Sequence, residues 1–105
     1  MAIEQSKIDE LRAEHGEIVV IGANGFDIVL AKTEIRAKYK RFKTMVMDEK
    51  KRVNAAEQLA RDLLVYPSLA AFEEILDGFP AMAEILGAEA TKFCGMTEEI
   101  EVKKF

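Results

Sequence analysis

The side chains able to do chemistry in this 105-residue chain are few, because His15 is the only histidine and Cys94 the only cysteine. A two-histidine metal site cannot be built within one chain, and a histidine-based triad would need other orienting groups. His15 is explained by a place in the last turn of a helix, where the field favours a cation. Cys94 has no CxxC partner and no neighbouring histidine, which fits a small buried or half-buried side chain better than a nucleophile. Acids cluster at Glu73-Glu74 and at Glu98, Glu99 and Glu101. Adjacent acids on a helix point about 100° apart, so neither cluster makes the facing pair that acid/base hydrolysis requires. The run Val-Val-Ile-Gly-Ala-Asn-Gly at 19–25 looks like a phosphate-cradling loop, but the residues after Gly25 alternate like a strand instead of opening a helix. A hairpin turn is the better reading. There is no calcium loop, Walker lysine loop or H-E-x-x-H. The expectation is a protein that is not an enzyme and carries no metal or cofactor.

The strongest positive signal is basic. Residues 32–52 hold nine Lys and Arg against Glu34, Asp48 and Glu49, a local net charge of plus 6, while the whole chain is at minus 4 and the remainder therefore at minus 10. At 100° per residue Arg36, Lys40 and Lys43 fall on one ridge of a helix over 34–47, beside an apolar stripe of Ile35, Tyr39, Phe42 and Val46. Long cations flanking a core-facing stripe are the simplest reading of that ridge. Docking an acidic protein partner comes next. Nucleic acid comes last, because the overall charge opposes phosphate and no aromatic interleaves on the basic face. A second candidate contact group is apolar: Phe72, Phe79 and Met82, with Met45 and Met47, are more flexible or aromatic bulk than a minimal core needs. For each of them taken singly, filling the core is the better reading.

The elements that must position these groups follow from local signals. A short helix after Ser6 ends at Gly16, and a β-hairpin joins 17–21 to 26–31 through the turn-forming 22–25. Thr33 is positioned to cap the basic helix, whose Tyr39 and Phe42 should pack as core against residues 53–64. Asp48 offers a cap for a helix carrying Val53, Ala56, Ala60, Leu63 and Leu64, which must break at Tyr66 before Pro67. Ser68 caps a helix with Leu69, Phe72, Ile75, Leu76 and Phe79, and Gly78 and Pro80 separate it from a last helix ending near Gly95. The predicted class is α+β, mainly α-helical, with one N-terminal β-hairpin and about five helices. Residues 1–95 should form a single compact domain, and 96–105 a C-terminal tail, either flexible or a short added strand near Ile100.

Composition excludes other classes. With 50% apolar and 32% charged residues the chain is neither disordered nor fibrous. Its longest apolar runs fall far short of the roughly 20 residues that span a bilayer, so no membrane insertion is expected. One cysteine and a start without a basic segment leading into an apolar one suggest an intracellular protein. A domain this small, with the open edges of a lone hairpin, is expected to form a homo-oligomer.

Thr33, Arg36, Tyr39 and Phe42, then Arg61-Asp62 running into Val65-Tyr66-Pro67-Ser68, with Phe72 and a second break at Phe79-Pro80, form a combination over residues 26–95. In this the chain resembles the small tail assembly chaperones of long-tailed bacteriophages and prophages. The resemblance implies a non-enzymatic protein of the host bacterial cytoplasm that keeps the hydrophobic tape-measure protein soluble while tail tube subunits assemble around it. The implied partners are the tape-measure protein and the tail tube protein. On that reading Arg36, Lys40, Lys43, Phe72, Phe79 and Met82 are the candidate partner-binding residues. The alternatives are a small phage accessory protein that binds nucleic acid through the basic helix, and an oligomeric scaffold.

Overall fold

A computed structural model describes residues 3–96 and 100–104. The first helix, α1 (Gln5–His15), closes at Gly16, whose φ of 79° is readily adopted only by glycine. Strands β1 (Ile18–Ala23) and β2 (Phe26–Ala31) then pair antiparallel, with Ala23 opposite Phe26. The connection is tighter than the four-residue turn expected. Asn24 and Gly25 alone make it, both at positive φ (53° and 80°), which matches the twist of the two strands.

The chain continues through α2 (Ile35–Met47), a short 3₁₀ turn (Arg52–Asn54), α3 (Ala55–Leu63), β3 (Leu64–Tyr66), α4 (Leu69–Gly78) and α5 (Met82–Phe93). Among the described residues the fold is α+β and mainly helical, with five α-helices and a three-stranded antiparallel sheet in the order β1-β2-β3. The third strand corrects the expectation that helix would run up to Tyr66. It pairs Leu64 with Leu30 and Tyr66 with Val29 across an irregularity in β2, so the hairpin gains a partner on one side. An added strand near Ile100 is not observed: residues 100–104 are outside regular structure, and Ile100 and Val102 are exposed. Glu98 and Glu99 lie outside the described residues.

Because β2 is the central strand, its burial does not alternate, and Ile28, Val29, Leu30 and Ala31 are all buried. Ile28 and Leu30 share a core with Leu59, Ala60 and Leu63 of α3, Phe72 and Leu76 of α4, and Met82, Leu86 and Ala90 of α5. Each large side chain fully buried there contributes about 1.5–3 kcal/mol through apolar area removed from water. Helices α3 and α5 meet at Gly87, where a Cβ would lie 2.7 Å from the Ala56 Cβ and 3.1 Å from the Ala56 carbonyl carbon. Ser68 caps α4 as expected, its hydroxyl accepting from the Ala71 N–H at 3.2 Å.

Three local expectations fail. Thr33 does not cap α2, because Glu34 adopts a left-handed conformation (φ 52°) in a turn closed by Ile35 N–H donating to the Lys32 carbonyl. Val53 lies in the 3₁₀ connector and is 88% exposed, so it packs against nothing. Tyr39 and Phe42 are only half-buried, and α2 has no fully buried residue. Its stripe does reach the core through Ile35 and Phe42, but no second layer covers it.

Candidate functional site

The antiparallel pairing of β3 with β2 carries the chain back towards Phe26, and the break at Tyr66-Pro67 with the Ser68 cap starts α4 beside it. An open groove of about 400 Å³ results. Its apolar lining is Phe26, Tyr66, Pro67, Ala71, Ile75 and Phe79, and Asp27 and Glu74 stand at it as acids. Helical geometry explains why α4 serves both core and groove. At 100° per residue Phe72 and Leu76 fall on one side, Ala71, Glu74, Ile75 and Gly78 on the neighbouring side, and Glu73 and Asp77 beyond the core side. Phe79 closes one end of the groove, edge-on to Phe26 with ring centroids 5.8 Å apart, and is 42% exposed. The Asp27 carboxylate accepts from the Ile3 N–H at 2.8 Å, whereas Glu74 is in no ion pair among the described residues. An apolar concavity with a few acids suits an uncharged chain segment with cations beside it.

The second surface is α2. Arg36, Lys40 and Lys43 are all exposed on its ridge, and a shallow depression is lined by Glu34, Arg36, Ala37 and Lys40. The helix is held to α3 by its half-buried stripe, in which the Tyr39 and Phe42 rings lie 5.5 Å apart, and by Arg41, which bonds the Asp62 carboxylate at 3.3 Å. Gln58 donates to the same carboxylate at 3.0 Å. The end of this arm is apolar, with Met47 79% exposed and Val53 exposed in the connector.

The six side chains singled out from sequence therefore divide. Arg36, Lys40 and Lys43 are accessible on α2, and Phe79 lines the groove. Phe72 and Met82 are excluded as partner contacts, since both are fully buried in the core and no partner reaches them without unfolding it. Sequence reasoning missed Phe26, Tyr66, Pro67 and Ile75 as a common surface. The available signal was the helix-breaking Tyr66-Pro67 pair followed by a cap, which sets α4 against the start of β2.

The remaining reactive groups stay apart from both surfaces. Cys94 is half-buried, and burial pushes its thiol above the ordinary range, against a smaller opposing pull from Lys32. His15 lies 3.8 Å from Glu14 at the end of α1. Among the described residues no three His, Cys, Asp or Glu side chains converge on a point that would hold a metal ion. Nor is any helix long and apolar enough to cross a membrane.

A family model for DUF6848, a domain of unknown function, matches residues 25–103. The chain belongs to the DUF6848 family. The matched span takes in the groove and the cationic helix and omits α1 and β1. The fold is similar to that of an uncharacterised protein, rbstp2171 from Bacillus stearothermophilus, with a TM-score of 0.73, 16% identity, and coverage of 91% of this chain and 99% of that one. Among curated proteins, none matches the chain.

Proposed function

We propose that this DUF6848 protein is a non-enzymatic tail assembly chaperone of a long-tailed bacteriophage or prophage, which holds apolar segments of the tape-measure protein and keeps them soluble in the host cytoplasm. The observation that carries the reading is the solvent-open groove of about 400 Å³ with Phe26, Ile75 and Phe79 in its lining. Apolar side chains left in water stabilise a complex by about 25 cal/mol per Å² when a client covers them. A groove of this kind recognises apolar bulk more than sequence, as a chaperone requires. The resemblance of residues 26–95 to tail assembly chaperones supplies the client. The exposed ridge of Arg36, Lys40 and Lys43 would orient that client more than it adds affinity.

Co-expression with the tape-measure protein of the same genome tests the reading. The expected outcome is a soluble tape-measure protein that co-purifies, and a several-fold loss of both with Phe79→Asp, which puts a charge into the groove while leaving the buried core intact. A tape-measure protein that stays insoluble, or one rescued equally by Phe79→Asp, overturns it. The nucleic-acid alternative has the same cationic ridge in its favour. A complex with DNA or RNA that persists at physiological salt and is lost on reversing the ridge would replace the chaperone reading.

A further inference from the structure

We infer that copies of this chain associate through unlike faces, the cationic face of α2 on one copy seating on the acids of α4 and the start of α5 on another. The charge is divided along the chain in two opposed blocks. Residues 32–52 carry a net plus 6, whereas residues 62–91 hold Asp62, Glu73, Glu74, Asp77, Glu84 and Glu89 with no Lys, Arg or His among them. Folding leaves much of each block unneutralised. Arg41 bonds Asp62, Arg61 bonds Glu57 and Glu73, and Lys92 bonds Glu89. Among the described residues Arg36, Lys40 and Lys43 are exposed and in no ion pair, and so are Glu74, Asp77 and Glu84. No ion pair joins α2 to α4 or α5 within the described chain, so the two faces are not partners of each other in one copy.

Each face also carries apolar surface that lacks a cover. The stripe of α2 is only half-buried, and Leu69 of α4, Phe79 just past its end and Ile85 of α5 are 55%, 42% and 42% exposed. Charge decides the pairing. With a two-fold axis through either face alone, α2 on α2 would set cations against cations and α4 on α4 acids against acids. Opposite signs match only where α2 of one copy meets α4 of another, either reciprocally across a two-fold axis, which closes as a dimer, or head to tail, which closes into a ring or extends into a filament according to its rotation. The inference stands apart from the identity of the client, although a neighbour seated on α4 would compete with a client for the Phe79 end of the groove.

Sedimentation velocity on the full chain, over a range of concentrations, tests it with two triple variants. One reverses the ridge (Arg36→Glu, Lys40→Glu, Lys43→Glu) and the other the acids (Glu74→Lys, Asp77→Lys, Glu84→Lys). The wild-type chain is expected to self-associate with an association constant falling roughly tenfold or more between about 0.1 M and about 1 M salt, as the screening length shrinks from about 10 Å to about 3 Å. Each variant alone should be monomeric, since its two faces now carry like charge. An equimolar mixture of the two should associate again, because every contact between unlike copies regains opposite signs. A wild-type chain that stays monomeric overturns the inference, as does association that survives in either variant or a mixture that stays monomeric. Should a reversal unfold the domain by circular dichroism, neutral replacement (Arg36→Gln, Lys40→Gln, Lys43→Gln) serves instead. A wild-type association constant in that variant overturns the inference equally.

Discussion

Helix α3 is packed from two sides, by α5 and by α2, and the two contacts differ in depth. Towards α5 the backbones approach until Gly87 and Ala56 leave no room for another carbon, and Leu59, Leu63 and Leu86 are sealed in the core. Towards α2 the contact consists of a half-buried stripe, one exposed ion pair and no fully buried residue. Both α2 and α5 carry apolar residues at helical spacing, so periodicity marks the side that makes contact but not how far it sinks. Depth depends on small residues that permit close approach and on a further layer that covers the seam. Helix α5 has both, with Gly87 set against Ala56 and with α4 and the sheet completing the core. Helix α2 has neither, which leaves its cations free for a surface role.

The largest effect expected is on the α5 side. Leu86→Ala removes a side chain of zero exposure from a site whose neighbours are fixed by two helices and a sheet, and should cost about 2–5 kcal/mol. Urea unfolding monitored by circular dichroism reads this as a lower midpoint with an unchanged slope. A shift as small as that of a surface substitution would mean that the α3–α5 seam is loose and that the two sides of α3 do not differ.

A sharper probe of the same seam is Gly87→Ala. By helix propensity alone the change would stabilise α5 by about 1 kcal/mol. The added Cβ, however, would stand 2.7 Å from the Ala56 Cβ and 3.2 Å from the Ala56 carbonyl oxygen, so a helix must move. Overpacking of that kind costs about 1–3 kcal/mol and is expected to win, giving a net loss of up to about 2 kcal/mol. Pairing the change with Ala56→Gly removes the nearest atom, and the double variant should recover part of the loss. A stabilised single variant would show that the helices separate freely.

Elements announced by one residue and its neighbours were legible in the sequence: the end of α1 at Gly16, the hairpin around Asn24-Gly25, the Ser68 cap and the break before Pro67. Features set by contacts distant in sequence were not. Leu64–Tyr66 is three residues long and becomes a strand only because β2 has an unpaired edge for it. Val53 continues the apolar spacing of α3 but falls in a connector that never reaches the core. Phe72 in α4 and Phe79 just past its end are the same residue type, and packing buries the first and leaves the second lining the groove. The cationic ridge was readable because it lies within one helix. The groove was not, since its walls come from β2, β3 and α4.

The smallest effect expected is on the α2 side, and it probes the comparison from its weak end. Phe42 lies in a helix whose stripe predicts a core residue, and a fully buried Phe replaced by Ala costs about 3–5 kcal/mol. In the folded chain the ring is half-buried, leans on Tyr39 at 5.5 Å and touches the core at its edge. Solvent already occupies one side, so truncation leaves a dent open to water in place of a closed cavity, and the cavity part of that cost largely disappears. Phe42→Ala should then lower stability by about 1–2 kcal/mol, less than Leu86→Ala in the same urea titration. A loss as large as that of Leu86→Ala would mean that α2 is as deeply packed as α5, and the free surface through which α2 meets another copy would shrink with it.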